Sequence, residues 1–201
     1  MLNTTDSTDG YPFSSHISRF YTFYNPHVTL TASSGMIVAK YFLDGTGSIH
    51  VALGTVANRH GRVAGINLGG GYATFPGVVG TAVTKICHVE VARTGLQEKE
   101  LRKLGIEWVS AVIKSRTKAG YFPGAGEITV KVLAEKGSGR LLGGQIVGME
   151  GSAKRIDTLA TALHAGFTME EMINLDLGYA PPFSPVWDPV VIAAREAAKK
   201  L

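Results

Sequence analysis

The sequence predicts an α+β fold in which an antiparallel sheet is flanked by helices. Four β-type runs follow one another, at residues 84–93, 107–117, 127–134 and 141–147. The Gly-rich connections GYFPGAGE and EKGSGR between the later runs are short enough for hairpins. Helical patterns then fill the chain from residue 151 onward, and strands followed by helices are typical of α+β domains.

Helical patterns accompany the strands. They span residues 53–68, 96–104, 151–165, a short segment after Thr168, and 190–200. Thr55 is the expected N-cap of the first helix, and Thr168 with Glu171 predicts a capping box in the fourth. Helical spacing also predicts the inner face of the third helix. That face consists of Ile156, Leu159, Ala160 and Leu163.

Composition excludes several function classes. The 201 residues are 45% hydrophobic and carry a net charge of +4, with Lys and Arg scattered along the chain. A nucleic-acid surface needs a dense basic stripe, and no apolar run reaches the length of a membrane span. The single Cys87 allows neither an internal disulfide nor a thiolate zinc cluster, and we predict no metal site. No N-terminal apolar segment is visible, so we expect a cytoplasmic protein.

Residues 1–50 are predicted to form an irregular or partial N-terminal region. They are rich in Ser, Thr, Asp, Asn and aromatic residues without a clear period, apart from two β-like runs, HVTLTA and GMIVAKYFL. A Gly-x-Gly at residues 45–47 lacks the third glycine of a dinucleotide fingerprint. We therefore do not interpret it as a cofactor-binding turn.

The β-type run at residues 84–93 alternates in polarity. This pattern places Cys87 on the apolar face and His88 on the opposite face. A reactive thiol requires a helix N-terminus or a cationic neighbour, so the pattern favours a buried, structural Cys87. His88 is expected at the surface, because no second His lies at metal-binding spacing.

A Pro-rich segment, residues 175–189 with the sequence LDLGYAPPFSPVWDP, separates the last two helices. Its prolines fix φ and remove backbone donors, so the segment is neither a helix nor an inner strand. It presents Tyr179, Phe183 and Trp187 along an extended backbone. One interpretation is a loop that caps the core, which the pattern alone favours. The other is a rigid segment that presents its rings to a partner.

Several motifs, in this order, resemble the C-terminal part of flavin-dependent pyridine nucleotide-disulfide oxidoreductases: LGTVANRHGRVAGINLGG, FPGVVGTAVTKICHVEVARTGL, YFPG, KRIDTLATAL and LGYAPPFSPVWDP. The most similar branch contains coenzyme A-disulfide reductase and the related NADH oxidases and peroxidases. The resemblance begins near Val51. It implies that residues 51–74 are the last helix of a flavin domain and that residues 75–201 are a dimerisation domain.

The sequence lacks the family's two Gly-x-Gly-x-x-Gly turns, and Cys87 does not occupy the position of the redox cysteine. The resemblance therefore implies no cofactor for the isolated chain, although full-length members use FAD and NAD(P)H. The helix start at Leu53, Gly54 and Thr55 is the stretch that the resemblance places near a flavin.

The resemblance also implies two catalytic residues. In coenzyme A-disulfide reductases two tyrosines cross the dimer interface towards the partner's flavin and cysteine, and these match Tyr121 in AGYFPG and Tyr179 in YAPP. The second tyrosine of the family's YYPG-like motif is Phe122 here. A phenol at such a site can donate a hydrogen bond to a leaving thiolate or protonate it. The KRID run at residues 154–157 is interpreted as part of an ion-paired interface helix.

The favoured function is a dimerisation domain of a flavin-dependent NAD(P)H oxidoreductase of the coenzyme A-disulfide reductase or NADH oxidase type. It would form a homodimer through the sheet and the Pro-rich segment, or join a flavoenzyme subunit, and would not be catalytic alone. The alternative is a subunit or fragment of an active FAD-dependent enzyme, so enzymatic activity of the chain stays open. A third interpretation is a remnant of a truncated gene, which would expose apolar surface.

Overall fold

The computed structural model describes residues 21–25, 28–33, 36–40, 48–50 and 53–201. The chain divides into two compact units, residues 1–78 and residues 79–201. The Gly-x-Gly at residues 45–47 lies outside the described residues, as does most of the predicted irregular arm. Among the described helices, none is both long enough and apolar enough to cross a membrane.

The first unit contains a four-stranded antiparallel meander. Its strands pair in sequence order. They are β1 (Tyr21–Asn25), β2 (Val28–Ser33), β3 (Met36–Lys40) and β4 (Ser48–His50). Strands β2 and β3 coincide with the two β-like runs of the sequence. Strand β1 falls where the sequence predicted an irregular arm, because its aromatic residues show no clear alternation with polar ones.

Helix α1, Gly54–Leu68, follows the meander. Its N-cap is Leu53, so the prediction that Thr55 caps the helix is wrong and Thr55 lies inside the first turn. Val56 is buried against Val78 and is flanked by Leu53 and Phe75. These apolar contacts, rather than a capping side chain, fix the start of the helix.

The second unit is built on a five-stranded sheet. All of its neighbouring strands are antiparallel, in the order β5-β6-β9-β8-β7. The strands are β5 (Ala82–Ile86), β6 (Val89–Gly95), β7 (Trp108–Arg116), β8 (Glu127–Glu135) and β9 (Leu141–Gly148). Hairpins join β5 to β6, β7 to β8 and β8 to β9, and β9 pairs with β6 to complete the sheet. The predicted antiparallel sheet is confirmed.

Helices cover this sheet. They are α2 (Glu98–Leu104), α3 (Ile156–Ala165), α4 (Met169–Ile173) and α5 (Pro189–Ala198), with a 3-10 turn at Ala153–Arg155. Helix α3 packs on β6 and β9, α5 packs on β7 and β8, and α4 packs on α5. The predicted inner face of α3 is confirmed for Ile156, Leu159 and Leu163, which are fully buried, whereas Ala160 is half-buried. The predicted capping box of Thr168 and Glu171 is also present.

A tight turn at Cys87 and His88 interrupts the run that the sequence predicted as one strand. Strand β5 ends at Ile86, β6 begins at Val89, and Cys87 has a φ of 53°. Cys87 is exposed, so the prediction that it is buried is wrong. A two-residue hairpin preserves the alternation of polarity on both sides of the turn, and without a Gly or Asn nothing in the sequence marks it. The expected exposure of His88 is confirmed.

Helix α2 is held on the sheet by an ion pair with β8. Lys131 Nζ lies 2.6 Å from Glu98 Oε1, with both side chains about one-quarter to one-third exposed. Arg102 Nη2 lies 3.7 Å from the same carboxylate. The hydrogen bond from Lys131 lowers the pKa of Glu98 below its ordinary value. The folded state therefore binds this proton less readily than the unfolded chain does, which links the pair to the pH dependence of stability.

We expect Glu98→Gln to lower the free energy of unfolding by about 0.5 kcal/mol at neutral pH. Because the pKa is lowered on folding, this contribution is present above the unfolded value and is lost as the pH falls through the folded value. Urea unfolding of both proteins at neutral and at acidic pH measures the difference. The control is Glu107→Gln, whose pair with Lys136 is mostly exposed. A Glu98→Gln deficit that persisted unchanged at acidic pH would contradict this account.

Candidate functional site

Two loops of the second unit meet beside the sheet. The first, residues 117–126, is named the tyrosine loop and joins β7 to β8; the second is the Pro-rich segment between α4 and α5. Thr117 closes the base of the tyrosine loop, because its N–H donates to Gly126 O at 2.9 Å and its Oγ1 accepts from Gly126 N–H at 3.1 Å. The Ala119 N–H donates to Pro181 O at 3.1 Å, which joins the two loops through their backbones.

This junction brings together the two tyrosines that the sequence singled out. Tyr121 is 78% exposed and Tyr179 is 47% exposed, and their phenol groups are close enough to interact. The interaction with Tyr121, with a smaller contribution from desolvation, raises the pKa of Tyr179 above its ordinary value. Tyr179 therefore keeps its proton at neutral pH, and the pair presents phenolic groups to solvent. The catalytic role of the two residues stays a prediction.

Arg155 connects three segments around this junction. Its Nε donates to Asp188 Oδ2 at 2.9 Å, and its Nη1 donates to Gly151 O at 2.6 Å. Its Nη2 donates at 2.8 Å both to Thr117 O in the tyrosine loop and to Phe183 O in the Pro-rich segment. Sequence reasoning missed this role, because KRID was interpreted as an ion-paired interface helix. The Lys154–Asp157 pair of that interpretation is present at the surface.

Asp188 completes the network and begins helix α5. Its Oδ1 accepts from Val190 N–H at 2.9 Å as the N-cap, and its Oδ2 accepts from Arg155 and from Ser184 Oγ. The side chains of Arg155 and Asp188 are only 12% and 13% exposed. A capping carboxylate is favourable at a helix N-terminus, and here the neighbouring guanidinium offsets its burial.

The Pro-rich segment also carries exposed apolar side chains. The aromatic surface is defined here as Tyr121, Tyr179, Phe183, Val186 and Trp187, all of which are exposed. The Arg195 guanidinium lies 5.0 Å from the centre of the Trp187 ring. In the same segment Ser184 and Pro189 are buried. The segment therefore fits both interpretations that the sequence left open, because it caps the core and presents rings to solvent.

The candidate cofactor stretch lies in the first unit, at the start of α1. Leu53 packs into the apolar cluster, whereas Gly54 and Thr55 are exposed. No acidic residue and no side-chain cap occupies this helix start. A helix N-terminus without acidic residues can accommodate an electron-rich group such as a phosphate or a flavin ring. The dinucleotide sites of this kind of protein also use a Gly-x-Gly-x-x-Gly turn to hold the phosphates, and this sequence contains no such turn.

One buried histidine in the first unit was not predicted. His60 is buried, its ring lies edge-on to Phe75 with centroids 4.1 Å apart, and burial lowers its pKa. Its Nδ1 has no hydrogen-bond partner among the described residues. Within the same residues, no group of three His, Cys, Asp or Glu side chains is arranged to hold a metal ion.

Comparison with known proteins shows which family the chain belongs to. A sequence profile described as "Pyridine nucleotide-disulphide oxidoreductase, dimerisation domain" matches residues 81–190. The NAD(P)H coenzyme A polysulfide/persulfide reductase of Pyrococcus horikoshii is 47% identical over 147 residues, which cover 73% of this chain and 33% of that protein. The CoA-dependent NAD(P)H sulfur oxidoreductase of Pyrococcus furiosus is 42% identical over 164 residues, covering 82% and 37%. The chain spans about a third of the length of these relatives.

Two solved structures support the same family assignment. A NAD-dependent persulfide reductase from A. fulgidus superposes with a TM-score of 0.79 at 42% identity, covering 82% of this chain and 30% of that one. The reduced CoADR-RHD of Bacillus anthracis gives a TM-score of 0.75 at 36% identity, covering 81% and 29%. The profile match and these superpositions lead to one conclusion: the chain belongs to the pyridine nucleotide-disulphide oxidoreductase family and carries its dimerisation domain.

Proposed function

We propose that this chain is the self-associating part of an NAD(P)H-dependent flavoenzyme that reduces coenzyme A disulfides or persulfides. The single observation that carries the proposal is the junction of the tyrosine loop and the Pro-rich segment, which brings Tyr121 and Tyr179 together beside an exposed aromatic surface, in a domain of the dimerisation family. The names of two relatives support the substrate class, since both name coenzyme A together with sulfur or persulfide reduction. Side chains alone do not replace a flavin, so we propose no independent catalysis.

The aromatic surface has the properties of a protein contact. Phe183, Val186 and Trp187 are large apolar side chains that are exposed to solvent, and the prolines of the segment make their backbone rigid. Aromatic residues are enriched at interface centres, and a rigid segment loses little conformational entropy on binding. We infer that the occupant is a second copy of the protein, because self-association is what a dimerisation domain provides.

The tyrosine pair suits the stabilisation of a leaving thiolate. Tyr121 is the more exposed of the two tyrosines, so its hydroxyl is the one best placed to donate to a sulfur outside the domain. A thiol has an ordinary pKa near about 8.5 and a phenol one near about 10, so full proton transfer from the phenol to the thiolate is uphill. Hydrogen bonding to the sulfur, rather than transfer of the proton, is therefore the favoured role of the pair.

Size-exclusion chromatography with light scattering and visible absorbance tests self-association. We expect the chain to run as a colourless dimer and the double variant Phe183→Ser, Trp187→Ser to run as a monomer. Leu104→Ser, an exposed position at the end of α2, is the control and should stay dimeric. Tyr179→Phe should also stay dimeric, because the phenyl ring retains nearly all of the buried area.

Three outcomes would overturn parts of this proposal. A monomeric wild-type chain, or a double variant that remains dimeric, removes the aromatic surface as the contact. A dimer that Tyr179→Phe disrupts makes the hydroxyl structural, and the catalytic role fails. Flavin absorbance that co-elutes with the chain would instead favour the alternative of an active flavoprotein subunit.

A further inference from the structure

Arg155 contacts both loops that carry the tyrosines. Thr117 O, its acceptor in the tyrosine loop, lies four residues before Tyr121, and Phe183 O, its acceptor in the Pro-rich segment, lies four residues after Tyr179. Both bonds come from the same nitrogen, Nη2, at 2.8 Å. The distance between the two loops is therefore fixed by one planar group as well as by the Ala119–Pro181 backbone bond.

The geometry of this contact requires a guanidinium. Arg155 uses donors on all three of its nitrogens, directed to a carboxylate and to three backbone carbonyls. A lysine carries all three of its donors on one nitrogen, so it cannot reach the separated acceptors that the three nitrogens of a guanidinium reach together. Asp188 balances the charge at a site where both side chains are mostly buried, so neither partner is easily removed alone.

We propose that Arg155, anchored by Asp188, is the positioning residue that holds the tyrosine loop against the Pro-rich segment and so keeps Tyr121 and Tyr179 close together. The catalytic role of the two tyrosines rests on the proposed function, whereas the hydrogen bonds that join the two loops are independent of it. Arg155 itself touches neither hydroxyl in this arrangement; it acts through the two backbone carbonyls.

Amide hydrogen exchange of the full chain tests the proposal locally. The Ala119 N–H reports the junction because it donates to Pro181 O, and the Val130 N–H in the buried strand β8 reports global unfolding. We expect Arg155→Lys to accelerate exchange at Ala119 by at least about tenfold more than at Val130. Lys154→Gln, which changes the adjacent surface residue, is the matched control and should leave both rates unchanged.

A second readout follows the tyrosines. In NMR spectra of protein labelled at the tyrosine ring, with Tyr179→Phe used for assignment, Tyr179 should titrate above its ordinary pKa in the wild type. Tyr121→Phe and Arg155→Lys should both return that pKa towards the ordinary value, since the first removes the Tyr121 hydroxyl and the second lets the two loops separate. A purely structural Arg155 would lower global stability and leave this titration in place.

The outcomes decide the proposal in every case. Equal acceleration at Ala119 and Val130, or an Arg155→Lys protein that behaves like the wild type in both readouts, overturns it. If Arg155→Lys does not fold, Asp188→Asn decides by the same two measurements, because Asn still caps α5 while the charge is lost. Neither readout depends on self-association, so a monomeric chain would refute the proposed function and leave this result standing.

Discussion

Gly143→Ala is expected to destabilise the second unit by about 3 kcal/mol, although it adds a single methyl group. A Cβ at Gly143 would lie 2.2 Å from Leu96 O and 2.9 Å from Leu96 N. Both atoms belong to the backbone, so no side chain can rotate away to make room. The Leu96 N–H also donates to Leu142 O at 2.9 Å, and separating the two segments would break that bond.

The matched control for this prediction is Gly120→Ala. A Cβ at Gly120 would meet no atom within 4 Å, and we expect a change within about 0.5 kcal/mol. Urea unfolding followed by circular dichroism measures both variants against the wild type. Similar midpoints for the two variants would show that β9 can move away from Leu96, and would refute the packing argument.

Regular elements were predictable from the sequence because their signals are local. β-type runs bounded by Gly-rich connections located β7, β8 and β9 to within one residue at each end, and the Thr168–Glu171 pair marked the start of α4. The sequence LLGGQIV predicted a strand as well, but nothing in it shows which neighbour requires Gly143. That requirement comes from Leu96, which is brought to β9 only by the pairing of β6 with β9.

The candidate site, too, was predictable from the sequence only in part. Tyr121 and Tyr179 were found through resemblance to a family, and no periodicity in the sequence indicates that the two loops carrying them meet. Arg155 was assigned to an ion-paired interface helix because Lys154 and Asp157 beside it are spaced to form a local ion pair, which is present. Its true partner, Asp188, lies 33 residues further along the chain, and local charge patterns carry no information on a pair formed by tertiary folding.

Leu159→Ala is expected to lower the free energy of unfolding by about 3–4 kcal/mol. Leu159 is fully buried in α3 and faces Gly144 of β9, where a Cβ would lie 2.6 Å from Leu159 Cδ1. Because the facing residue has no side chain, nothing from the sheet can fill the cavity that the substitution leaves. Leu104→Ala, at an exposed leucine, should cost less than about 1 kcal/mol in the same urea titration.

A double-mutant cycle makes the Leu159 argument specific to its contact with Gly144. Gly144→Ala alone should be strongly destabilising, since its Cβ would also lie 2.9 Å from Lys131 O. In the Leu159→Ala background the clash with Leu159 Cδ1 is gone, so Gly144→Ala should cost at least about 1 kcal/mol less than it does in the wild type. The part of the cost due to Lys131 O should remain in both backgrounds. Strict additivity of the two substitutions would show that α3 shifts away from β9 instead of leaving a cavity.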